Sequence, residues 1–304
     1  MININESLLQ TFEENLNPRN MEKSPVKAEV LGYGEISSIF SLDEQPGIAF
    51  KRMPLFRTTK DARGYARNYK TYCEHLGKAG LNIPEDKTVI IQLPGRPVVL
   101  YIAQEQLPAK GFGHNQIHAV PRENSLELIG RIAMQIVSVW KYNEKMKPGL
   151  ELSLDGQLSN WVEENGQLYF VDTSTPLFRL DGKEQLDPEL LLQSAPGFLR
   201  WILRAFFLDD VMNRYYDLRQ VYMDLAANLY KEQKPELIPG VLEIVNNNLS
   251  DDAATITEKE VEKYYREDKL IWSLFLAFRR FDRWMKTKIL HKRYEFILPG
   301  KIKR

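Results

Sequence analysis

The chain has 304 residues, 43% hydrophobic and 27% charged, with 41 basic residues balanced by 41 acidic ones. That is an ordinary globular balance with enough apolar material for one large or one two-lobed domain, and zero net charge excludes a whole-chain field toward nucleic acid or membrane. Cys73 is the only cysteine, which excludes an internal disulfide or a cysteine-rich zinc site and suits a reducing cytoplasm. The N-terminus lacks the basic-then-apolar pattern of a signal peptide. No apolar run approaches the roughly 20 residues that cross a bilayer, so no transmembrane segment is expected.

In chain order, Leu8, Leu9, Phe12 and Leu16 recur at helical spacing, which predicts a helix over 5–16 closed by Asn17-Pro18. The runs K-A-E-V-L-G-Y-G, I-S-S-I-F-S-L and G-I-A-F-K-R-M, within 27–53, read as strands, the last two parted by the turn cluster D-E-Q-P-G. Residues 59–79 read as a helix, followed by strands T-V-I-I-Q-L and P-V-V-L-Y-I-A-Q-E. Beyond residue 105 the character changes. A helix is expected over 124–145, a short hairpin near 160–171, and an almost wholly helical pattern from 187 to 290. The expectation is an α+β chain. It has an N-terminal helical extension (1–28), a β-rich lobe with one helix (29–105) and a larger, mostly helical lobe (106–304), hinged near Gln104 to Pro108.

Four local features carry chemistry when taken together. In L-G-Y-G-E-I-S-S-I-F, Gly32 and Gly34 permit a tight turn that lets backbone approach a phosphate. By itself this is an ordinary hairpin turn. Lys51 lies in the next apolar strand, where it either faces solvent or reaches the phosphates of a nucleotide. In S-L-D-G-Q-L-S-N, Asp155 and Asn160 stand five apart. Asp-Gly is a favoured turn pair, but the aspartate also suits proton acceptance from a hydroxyl, with Asn160 on a metal. Asp172 ends the apolar run Q-L-Y-F-V.

Here turn chemistry makes a geometric prediction. Asn165-Gly166 is a preferred two-residue hairpin turn, and a hairpin centred there pairs positions whose numbers sum to 331. Position 160 then faces 171, and Asn160 and Asp172 come side by side as hard oxygen donors suited to magnesium.

Glycine turn, strand lysine, hinge, Asp-to-Asn loop, hairpin and second Asp occur in an order that resembles the protein-kinase-like superfamily, and within it the aminoglycoside and choline kinase-like small-molecule phosphotransferases. The resemblance covers about Val30 to Asn228. It implies a bilobal fold that uses ATP and Mg2+ to phosphorylate a small-molecule hydroxyl. The Gly32 to Ser37 backbone, Gly34 included, would cover the phosphates and Lys51 would neutralise them. The hinge backbone around Glu105 to Leu107 would bond the adenine. Asp155 would be the catalytic base, Asn160 and Asp172 the metal ligands, and Asp224 in Y-M-D-L-A-A-N-L-Y a brace for the catalytic loop. Ser153 stands where the family has histidine, Thr173 and Ser174 follow Asp172 in place of Phe-Gly, and Tyr69 or Asn68 stands at the position of the helix glutamate that pairs with the lysine. Two rival readings keep the fold: a nucleotide-binding scaffold without transfer, and a nucleotidyltransferase that modifies a protein.

Two further segments stand out. K-G-F-G-H-N-Q-I-H, 110–118, reads as a loop that either connects elements or walls the acceptor site, its glycines arguing against a helix and against a His114/His118 metal pair. The basic, aromatic segment from Phe278 to Arg293 reads as an amphipathic closing helix with its apolar face in the core, the alternative being peripheral contact with lipid. The acceptor stays open among sugars, aminoglycosides, choline-like alcohols, nucleosides and lipid headgroups.

Overall fold

The computed structural model describes residues 2–298 except 22–23, 35, 188, 191–196, 198–199 and 201–207, and gives only the backbone of 208–211. The architecture is α+β. Helix α1 (Glu6–Asn15) precedes strands β1 (Ala28–Tyr33), β2 (Ser38–Leu42) and β3 (Gln45–Phe56), helix α2 (Thr59–Lys78), and strands β4 (Asp86–Ile91) and β5 (Val98–Glu105). The five strands form one antiparallel sheet in the order β1-β2-β3-β5-β4. Pro54 falls where the β3–β5 register shifts, the place in a strand where a residue without an N–H is tolerated.

The two faces of this sheet follow from strand alternation. In β5, Val99, Tyr101 and Ala103 join one apolar cluster with Leu9, Phe12 and Leu16 from α1 and its C-cap. Val98, Leu100 and Ile102 point the other way and join Tyr65, Tyr69, Tyr72 and Leu76 of α2. In β3 the same alternation sends Phe50 to the α1 face and Met53 to the α2 face, with Arg52 in register with Phe50 and Lys51 with Met53. Arg52 is fully buried and makes a two-pronged ion pair with buried Glu13 of α1, 2.7 and 2.8 Å. Glu295, near the chain's end, reaches the same guanidinium at 3.2 Å, and Arg293 donates to the Leu16 carbonyl at 2.6 Å. Such fully paired charges are costly to break because a lone partner would be left dry.

Beyond β5 come α3 (Gly113–Ala119), α4 (Arg122–Met146), β6 (Leu150–Leu152), β7 (Trp161–Glu164), β8 (Gln167–Phe170), β9 (Phe178–Leu180) and β10 (Lys183–Glu184). Helices α5 (Leu208–Tyr215), α6 (Leu218–Lys231), α7 (Ile238–Asn246) and α8 (Glu258–Trp284) follow, and α8 runs into a π-helical turn, Met285–Ile289. Part of the helical pattern expected from 187 onward lies outside the described residues.

Two expectations are corrected. Residues 113–119 are a helix, not a loop. The glycines there mark close packing: a Cβ on Gly113 would sit 2.7 Å from the Leu158 carbonyl oxygen, and one on Gly111 2.3 Å from that of Glu163. The segment packs against α4 and β7 and does not wall the cavity described below. The second correction concerns α8. Its buried residues are Val261, Arg279 and Asp282, whereas Leu270, Leu274, Phe281 and Trp284 are exposed. Its C-terminal half is not a helix with its apolar face in the core.

Candidate functional site

The site is built on the β7–β8 hairpin. Asn165 and Gly166 both take positive φ, 52° and 77°, as the mirror-image turn between right-twisted strands requires. The register is Trp161 with Phe170, Val162 with Tyr169, Glu163 with Leu168 and Glu164 with Gln167. Each pair sums to 331. One step further out, the Val171 N–H donates to the Asn160 carbonyl at 2.9 Å. Asn160 and Asp172 therefore flank the open end of the hairpin, and both line one cavity of about 250 Å³.

Asp155 lines the same cavity, held there by a tightly folded loop. Its Oδ1 accepts from the Gln157 N–H at 3.0 Å, and Asn160 Nδ2 donates back to the Asp155 carbonyl at 3.2 Å. At the loop's start, Ser153 is buried, donates through Oγ to the Tyr215 carbonyl, and accepts on its carbonyl from the Tyr72 hydroxyl at 2.8 Å. Gly156 is pressed between helices, and a Cβ there would stand 2.9 Å from Val221 Cγ1 and 3.1 Å from Ile136 Cδ1. The glycine is needed for this close approach.

Helix α2 grips both loops with tyrosines at i, i+4 and i+7, one helical face. Tyr65 donates to the Ser174 carbonyl at 2.6 Å, Tyr69 meets the Thr173 hydroxyl at 3.4 Å, and Tyr72 holds Ser153. Asn68 points elsewhere, to the Gln185 carbonyl at 2.7 Å. Of the two residues at the expected pairing position, Tyr69 is the one near the lysine's surroundings. It bonds Asp86, which with Asp172 favours the charged form of Lys51. Burial pulls the Lys51 pKa down and pushes the Cys73 thiol up to about 12, which leaves the thiol unreactive at neutral pH.

The expected site residues divide as follows. Asp155, Asn160, Asp172, Gly34 and Ser37 meet around the cavity. The Gly34 N–H closes the glycine turn on the Ser37 carbonyl at 3.0 Å; Glu35, within that turn, lies outside the described residues. Gly32 is set back in β1 opposite Ile39. Lys51 is only 3% exposed and lies behind the cavity wall, its ammonium on the Val171 carbonyl. Glu105 and Leu107 are outside the lining, and the N–H groups of Glu105 and Gln106 donate to the carbonyls of Glu85 (2.8 Å) and Gly47 (2.9 Å).

The hydrogen bond from α6 to the loop is made by a residue other than the expected Asp224. Asn228, one turn later on α6, accepts from the Leu158 N–H at 3.2 Å. Asp224 lines the cavity instead, together with Lys231, which the sequence reading passed over. Lys231 Nζ lies 3.1 Å from Gln157 Oε1. The missed signal is spacing: Asp224, Asn228 and Lys231 stand at i, i+4 and i+7, one face of a helix.

The carboxylates repel one another in a poorly solvated place. Burial, then the neighbouring Asp172 charge, pushes the Asp155 pKa up to about 6. Burial, then Asp155 and Asp268, pushes Asp224 up to about 8, against the lowering effect of Lys231 and of a hydrogen bond from Tyr264. Carboxyl groups that titrate near neutrality, grouped in a cleft, are suited to proton transfer.

The sequence profile of one family matches residues 18–283. The chain belongs to it: DUF6206, a family of unknown function. No curated protein matches the chain.

Proposed function

We propose that this chain is an ATP- and magnesium-dependent phosphotransferase acting on a hydroxyl of a small-molecule acceptor, on a bilobal protein-kinase-like plan. The observation that carries the reading is the convergence of Asp155, Asn160 and Asp172 on one cavity through the hairpin register. The five-stranded antiparallel sheet, its helix α2 and the helical remainder are in keeping with that plan.

Among the described residues no group of three His, Cys, Asp or Glu side chains could hold a metal. Magnesium does not need one, because it binds through one or two protein oxygens plus substrate phosphates and water. The donor set of Asp172 carboxylate and Asn160 amide oxygen fits it. Magnesium bound with ATP would neutralise charge on the transferred phosphoryl group.

The chain's own residues do the rest. Asp155 orients the acceptor hydroxyl and takes its proton as the acceptor oxygen bonds to the γ-phosphorus and the bond to ADP breaks. The Lys231 ammonium, supported beside Asp155 by Gln157, stabilises the negative charge of the loose transition state. The turn from Gly34 to Ser37 closes the cavity over the phosphates. Lys51 reaches them on leaving the Val171 carbonyl.

The test is calorimetry of ATP binding to wild type and Asp172→Ala, with and without magnesium, followed by transfer from γ-labelled ATP to hydroxyl acceptors. Magnesium-dependent binding lost in the variant supports the metal site. Absence of binding in wild type removes the reading.

A second reading, a nucleotide-binding scaffold without transfer, is favoured by the engagement of buried Lys51 with the Val171 carbonyl. It predicts ATP binding with no label transferred from either γ- or α-labelled ATP. Label from α-labelled ATP alone on protein would instead indicate nucleotidyl transfer.

A further inference from the structure

Helix α8 is turned inside out over its C-terminal half. Facing inward, Arg279 is 4% exposed and Asp282 2%. Facing outward, Leu270 is 60% exposed, Leu274 49% and Trp284 52%. Positions 270, 274, 281 and 284 recur at i, i+4, i+11 and i+14, a single stripe along the helix. Ile289 and Leu290 extend this apolar surface past the helix end and are also more than half or half exposed. A contiguous exposed apolar stripe of this kind marks an interaction surface.

The charges around the stripe say what it meets. From Lys269 to Arg293 the chain carries eight basic residues: Lys269 and Arg279, which line the cavity, and Arg280, Arg283, Lys286, Lys288, Lys292 and Arg293. The only acidic one is Asp282, which is buried with its carboxylate 2.8 Å from Lys286 Nζ. Lys286 pairs with Asp282 and Arg293 with Glu295, both at 2.8 Å, yet by sequence the segment keeps a strong excess of positive charge on a chain whose net charge is zero. Apolar side chains flanked by Lys and Arg, with a Trp at the end, are the pattern of a helix lying in the plane of an anionic membrane surface. No described helix is long and apolar enough to cross a membrane.

We propose that the outer face of α8, continued through Leu290, docks the protein on the surface of an anionic phospholipid bilayer. The opposite face of the same helix, through Asp268, Trp272 and Arg279, lines the cavity that holds Asp155 and Asp172. Docking therefore holds that cavity one helix diameter from the headgroups. The docking proposal does not depend on the phosphotransferase reading.

The test is flotation of the full chain with vesicles of phosphatidylcholine alone or mixed with phosphatidylglycerol. The chain is expected to float with the mixed vesicles, to be released by salt, and to stay down with neutral ones. The double variant Leu270→Glu/Leu274→Glu changes only exposed positions, and its thermal melt is expected to match wild type while its flotation is lost. Lys288→Gln and Lys292→Gln keep the apolar stripe and should each weaken partitioning by about fivefold. Wild type that stays down with anionic vesicles overturns the proposal, as does flotation unaffected by the double variant. Dimers in light scattering that the double variant dissociates, without flotation, would assign the stripe to a second copy and also overturn it.

Discussion

The Lys231 ammonium rests 3.1 Å from the Gln157 amide oxygen, two residues beyond Asp155. The contact carries a cation from the end of α6 into the loop that holds the candidate base. If that charge acts on the transferred phosphoryl group, Lys231→Met should lower kcat by about 10²- to 10³-fold. The KM for ATP should stay nearly constant, and Lys231→Arg should recover part of the loss. Steady-state kinetics decides; a change confined to KM would assign Lys231 to ground-state binding.

The proposed metal pair, Asn160 and Asp172, depends on the turn at Asn165-Gly166. Gly166→Val places a β-branched side chain at φ 77°, which costs about 1–2 kcal/mol. Because the turn sets the register of Asn160 against Val171, magnesium-dependent ATP binding should weaken along with stability. Urea melts give the first effect and calorimetry the second. Weaker folding with unaltered magnesium dependence would uncouple the hairpin from the metal site.

Asp155 must be ionised to accept a proton, and its pKa is raised to about 6 by burial and by Asp172. Transfer should therefore rise with pH through about 6 and level off above it. Saturating magnesium should move the midpoint down, since a cation on Asp172 cancels the charge that raises it. A pH-rate series at low and high magnesium tests both. A profile flat between about pH 5 and 8 would remove Asp155 as the base.

Asp224 gives a stability prediction of definite sign. Its folded pKa, raised to about 8, exceeds the unfolded carboxylate value of about 4. Between these values the folded chain keeps a proton that the unfolded chain has lost, so Asp224 lowers stability as pH rises from about 4 through 8. Asp224→Asn should melt with wild type below about pH 4 and above it at pH 8 and beyond. Thermal melts across that range suffice, and a variant less stable at high pH would mean that the ionised carboxylate has a partner worth more than its burial costs.

Gly156→Ala should destabilise by about 1–3 kcal/mol through overpacking against Val221 and Ile136. Adding Val221→Ala removes the nearer clash at 2.9 Å and should restore part of the loss. Denaturant melts of the two variants would show this as a positive coupling. If the double variant is as unstable as the sum of its parts, the contact is not what excludes a side chain at 156.

What could be read from the chain was what short-range physics sets. Asn165-Gly166 dictated a two-residue turn, and a period-two register then put Asn160 beside Asp172 without reference to the rest of the molecule. Alternating and helical periodicities likewise gave α1, α2, α4 and all five strands of the sheet, because each depends on neighbours within a few residues. The misreadings came where a residue's meaning is set by something distant. Gly111 and Gly113 looked like loop glycines, yet they lie in or beside a helix pressed against the backbone of Leu158 and Glu163. Amphipathicity put the apolar side of α8 in the core, but the sequence pattern does not say which side meets the rest of the fold, and the cavity claimed the polar one.

The sequence by itself determined the hairpin that sets Asn160 beside Asp172 and the five strands of the sheet, since turn chemistry and strand alternation act locally. Only the tertiary structure decided that Asn228 braces the loop, that Lys231 and Asp224 enter the cavity, and that Lys51 stands behind Asp172. Those relations join α2, β3, the loop and α6 across 70 or more positions of chain. Long-range packing sets such distances, and with them the desolvation and charge proximity that fix each group's pKa.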